Sequence, residues 1–64
     1  MNNHELDYLI GMTEFMALET LQNADIPYRT VRRDSLVNVV TSDLVPERVN
    51  LSVDSGKVTK AYYG

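Results

Sequence analysis

The sequence predicts an α+β fold: one amphipathic helix packed on a small mixed β-sheet, with an extended loop projecting from it. Three observations carry this. Phe15, Leu18 and Leu21 recur at helical spacing. Val49, Leu51 and Val53 alternate strictly with Asn50 and Ser52, the period of a strand with one apolar face. Residues 41–48 follow neither period, contain no glycine and are too many for a tight turn.

In chain order, residues 1–11 read as a short helical turn that groups Leu6, Leu9 and Ile10 and ends at Gly11. Residues 12–25 read as the helix. Thr13 is its N-cap, and Glu14 in the first turn suits the positive end of the macrodipole. Met16, Ala17 and Ala24 widen the apolar stripe, with Phe15 expected in the core and Glu14, Glu19, Gln22 and Asn23 mostly outside it. Pro27 stops the helix by pushing Ile26 out of the α region. Residues 28–40 form the first β half, with Asp34 and Ser35 as a turn before Leu36, Val37, Val39 and Val40. Residues 41–48 are an exposed loop, and loops on a rigid scaffold are where function concentrates. Residues 49–63 form a hairpin around Asp54, Ser55 and Gly56, in which glycine supplies the positive φ.

Sixty-four residues make a single domain at most. A chain of that size buries only about 60% of its unfolded surface, so each core residue matters. There is no cysteine, which removes disulfides, thiolate-held zinc and cysteine nucleophiles. No basic leader followed by an apolar run opens the chain, and the expectation is a soluble cytoplasmic protein. Six basic against nine acidic residues give a net charge of −3, which disfavours nucleic acid as a partner. No membrane contact, metal or cofactor is expected.

No residue pattern points to an enzyme. His4 is the only histidine and has no serine or cysteine motif beside it. Glu5 with Asp7, and Glu14 with Glu19, lack the one-sided burial that splits the pKa values of an acid/base pair, and read as solvated helix faces. Met12 and Met16 fit either a core edge or an adaptable surface. Tyr62 and Tyr63 point to opposite faces of a strand, which leaves one of them exposed or in an interface. Arg29, Arg32 and Arg33 fit either an anion or partner patch or the charged guard of an edge strand.

The stretch from Val40 to Asp54 resembles the reactive loop and following strand of the potato inhibitor I family of serine-protease inhibitors. It is also similar to that family's bacterial, eglin-like branch. The pattern Thr-x-Asp-x-x-Pro-x-Arg-(Leu/Val)-Asn is met by Thr41, Asp43, Pro46, Arg48, Val49 and Asn50. Leu9, Ile10 and Gly11 resemble the segment before the family's single helix, and Asp54 with Gly64 resembles its closing turn and terminal glycine. The ordered set covers about residues 9–64.

The resemblance implies a reactive-type loop of Thr41, Ser42, Asp43, Leu44 and Val45 that enters a protease cleft in substrate-like form. The scissile bond would lie between Ser42 and Asp43, with Thr41 in the neighbouring subsite and Leu44 on the leaving side. Arg48 would clamp Asp43 from the strand below by a charge-assisted bond, and Asn50 is the second support. This chain departs from the pattern in three places. Asn50 stands where an arginine is common, Ser42 is small, and no cysteine lies near the end. A serine fills little of a specificity pocket, which points away from chymotrypsin-like and trypsin-like targets. The partner implied is a protein, a serine protease or another host protein. A second reading keeps the scaffold but not the target. In it, a homo-oligomer uses Arg29, Arg32, Arg33 and Tyr62 to sequester a host regulator or a small anionic ligand.

Overall fold

The computed structural model describes residues 3–64 apart from Val39. One main helix, α1 (Glu14–Asn23), packs against a four-stranded mixed sheet, as the sequence predicts. The strands are β1 (Tyr28–Arg33), β2 (Leu36–Val37), β3 (Val49–Asp54) and β4 (Lys57–Tyr63), in the spatial order β2-β1-β3-β4. β1 and β3 are parallel, and the other two pairings are antiparallel. Among the described residues, no helix is long and apolar enough to cross a membrane.

The core has two layers. Leu6, Leu9, Ala17 and Leu21 come from the helical side, and Val49, Leu51, Val53 and Val58 from the sheet. Leu6 and Leu9 belong to a 3-10 helix, Asn3–Leu9. With three residues per turn, positions i and i+3 eclipse, so these two leucines point the same way. Ile10, expected beside them, is rotated off that row and is exposed. Gly11 then turns the chain and donates its N–H to the Val58 carbonyl at 2.8 Å.

Helix α1 is shorter than residues 12–25. The Thr13 hydroxyl accepts the Met16 N–H at 3.2 Å, the expected N-cap. At the other end the helix closes before Pro27 is reached. Asp25 adopts φ 56°, its N–H meets the Gln22 carbonyl, and the Ile26 N–H meets the Leu21 carbonyl. That pair of bonds is a Schellman motif with aspartate in the left-handed position.

The buried stripe also differs from the expected one. Phe15 is 73% exposed, and Met16 is exposed as well, while Ala17 and Leu21 are buried. At about 100° per residue, a row of positions i, i+3 and i+6 drifts, leaving Phe15 about 120° from Leu21 around the axis. Glu14 lies only about 20° from Leu21 by the same geometry. Its carboxylate therefore faces the sheet, where Thr30 and Arg33 meet it.

The expected first β half, 28–40, breaks up. β1 runs beside β3 for its whole length, with a bulge between Thr30 and Arg32. β2 covers its outer side at Arg32 and Arg33, so those two arginines guard no edge. β2 is two residues long, and both are exposed. Asn38 ends it by bonding back to β1, its N–H to the Val31 carbonyl and its side chain to the Thr30 carbonyl. Val40 lies in no strand, and Val39 falls outside the described residues. Parallel β1 and β3 need a long crossover, and residues 34–48 supply it, with no helix among the described residues.

β3 is buried on both faces. Val49, Leu51 and Val53 meet the helical layer, and Asn50 and Ser52 on the opposite face are buried too. The hairpin connection is Ser55 and Gly56, with φ 51° and 78°. Both central residues of the turn are therefore left-handed, as its fit to the strand twist requires, and Ser55 shares the role expected of Gly56 alone.

Candidate functional site

The alternation that sends Val49, Leu51 and Val53 into the core sends Asn50, Ser52 and Asp54 to the opposite face of the sheet. Register places Arg29 beside Asn50 and Arg32 beside Ser52 on that same face. Arg48 lies just before β3. A turn bond from its N–H to the Val45 carbonyl, at 3.0 Å, and the bond of the Val49 N–H to the Pro27 carbonyl fix where its side chain starts.

From there Arg48 reaches into the connection before it. Its Nη2 donates to the Asp43 carbonyl at 3.0 Å, its Nη1 lies 3.4 Å from the Asp43 carboxylate, and its Nε donates to the main-chain oxygen of Gly64 at 3.0 Å. Asp43 is further held by the Thr41 hydroxyl, which donates to its carboxylate. That bond, and then the charge of Arg48, hold the Asp43 carboxyl below its ordinary range against an opposing desolvation effect. Thr41, Ser42, Asp43 and Leu44 are exposed, Leu44 by 79%, and Val45 is partly buried.

Asn50, 1% exposed, touches this segment only at second hand. Its Nδ2 donates to the Tyr62 and Gly64 main-chain oxygens, and its Oδ1 accepts Arg29 Nε at 2.5 Å. Arg29 makes the contact itself, Nη1 donating to the Thr41 carbonyl at 3.1 Å and lying 3.4 Å from its hydroxyl oxygen. Sequence reading grouped Arg29 with its neighbours and missed this link. The available signal was Asn50, standing where the family resemblance implies an arginine.

The other arginines of β1 also bind within the chain. Arg32 grips Asp54 through two bonds of 2.7 Å. Arg33 crosses to the helical side and meets Glu14, holding that carboxyl below its ordinary range. The three guanidiniums therefore do not form one surface, and each has an intramolecular carboxylate or amide partner. Tyr62 and Tyr63 are both partly buried, Tyr63 against the core and Tyr62 with the Lys60 ammonium 5.3 Å above its ring.

Asp54 carries the largest shift. The bidentate Arg32 and then the Thr59 hydroxyl, 2.6 Å away, lower it from 3.8 to about 2. A carboxyl whose folded pKa is depressed contributes stability above its unfolded pKa, and that contribution fades as pH falls through the folded value. The window is thus from about pH 4 down to about pH 2. Urea unfolding across it is expected to show a shallower acid loss for Asp54→Asn than for the unaltered chain. Parallel pH profiles would remove Asp54 from the account. No protein-family model, curated protein or solved structure matches the chain.

Proposed function

We propose that this chain is a small serine-protease inhibitor-like module, not an enzyme, and that residues 41–45 occupy the target's cleft in substrate-like form. The supporting observation is the fixation of both sides of the Ser42–Asp43 peptide bond: Arg29 holds the Thr41 carbonyl and Arg48 holds the Asp43 carbonyl. A loop already held in its bound conformation loses little entropy on docking, so affinity rises without extra contact area. After a cut between Ser42 and Asp43, the same bonds would keep the two new ends together, which slows release and favours resealing. The partner is a protein, and the lack of cysteine fits a reducing compartment, the cytoplasm.

The test is a titration against a panel of serine proteases, including subtilisin-like and elastase-like members, with intact mass read on the mixtures. Stoichiometric inhibition with at most slow cutting at Ser42–Asp43 is expected. Rapid digestion of the loop by every member, or no inhibition by any, would mean that the scaffold serves another partner.

A further inference from the structure

We propose that Arg29 is the second positioning residue of the loop, and that it and Arg48 act as one closed support rather than as two separate props. The proposal gives a role within the inhibitory reading above and rests on that reading for its functional meaning. The bonds form a complete circuit. Arg29 links the Thr41 carbonyl to Asn50, and Asn50 Nδ2 links onward to the Gly64 main-chain oxygen. The same oxygen accepts Arg48 Nε, Arg48 holds Asp43, and the Thr41 hydroxyl closes the path on the Asp43 carboxylate. Ser42 sits between the two ends of that circuit.

Three features make the circuit a unit. Asn50 is buried, and its amide is occupied on both sides, so Arg29 is held in one pose by a group that cannot turn to water. Arg29 uses two different nitrogens of its fork, Nε inward and Nη1 outward, which a lysine ammonium cannot reproduce. Gly64 approaches closely: a Cβ there would lie 3.3 Å from Asn50 Nδ2, so a side chain at this position would press on the joint where the two legs meet. Arg29 stands on β1 and Arg48 just before β3, so the support ties the loop to the two parallel strands.

The experiment uses thermolysin, a metalloprotease that cuts before apolar residues, so its readout does not depend on serine-protease inhibition. The unaltered chain, Arg29→Met, Arg29→Lys, Arg48→Met and the double variant Arg29→Met/Arg48→Met are nicked under native conditions and the cuts located by mass. Arg29→Met and Arg29→Lys are both expected to speed cutting before Leu44 by about tenfold, the loss of one charge-assisted bond. The double variant is expected to be slower than the product of the single effects, because either substitution already opens the circuit. Three results overturn the proposal: an unchanged rate in Arg29→Met, a lysine variant that behaves as the unaltered chain, or a double variant equal to the product. New cuts before Leu21 or Leu51 would mean global unfolding, and they too would overturn a local role. A chain that inhibits no protease yet shows the expected nicking pattern keeps the circuit and loses only the inhibitory reading.

Discussion

Leu51→Ala is expected to remove most of the stability of this domain. Leu51 is fully buried at the centre of β3, between the parallel strand β1 and the antiparallel β4, with the helical leucines across from it. Truncating such a leucine costs about 2–5 kcal/mol, because the transfer free energy is lost and the cavity closes only partly. A chain of this length has about 3–10 kcal/mol in total, at roughly 0.05–0.15 kcal/mol per residue. Urea unfolding followed by circular dichroism is therefore expected to start from a baseline already near its midpoint. Val37→Ala is the comparison. Val37 is 75% exposed on the two-residue β2, and its truncation is expected to change stability by less than about 0.5 kcal/mol. Equal losses in the two variants would contradict a core centred on β3.

The second large effect is on binding. Ser42→Leu is expected to tighten inhibition of proteases with a large apolar specificity pocket by about 10- to 100-fold. That follows from burying a leucine side chain, worth about 1.5–3 kcal/mol. Ser42 is exposed, so the fold should be unaffected, and an unchanged thermal midpoint is the control. Inhibition constants for the two proteins against one chymotrypsin-like enzyme decide the matter. An unchanged constant with an unchanged midpoint would place Ser42 outside the specificity pocket and remove the assignment of Ser42–Asp43 as the target-facing bond.

These two predictions rest on different kinds of legibility. Local features were readable along the chain. The Thr13 cap precedes a helix because a hydroxyl that accepts the Met16 N–H satisfies an otherwise orphaned donor. β3 was readable because strict alternation has few other meanings. The pairing of Asp43 with Arg48 was implied by the family resemblance, and a turn at Pro46 and Glu47 brings the two together. Phe15 was misplaced for a geometric reason: two rows of helix positions share most of the same apolar residues, and only the partner surface selects between them. With Ala17 and Leu21 against the sheet, Glu14 turns inward to Arg33 and Phe15 turns out.

The fold class, the N-terminus of the helix, the central strand and the hairpin were determined by the sequence alone. Each depends on residues within about one turn or one pleat of one another, where spacing dictates geometry. Tertiary structure decided the strand order, the burial of Asn50 and the partners of the three β1 arginines. It also brought Arg29 to Thr41, twelve residues away, and joined both legs at Gly64. Those contacts follow from the parallel register of β1 on β3, which aligns Arg29 with Asn50 across twenty-one positions of chain. Periodicity tells which face a residue occupies, but not which strand lies beside it.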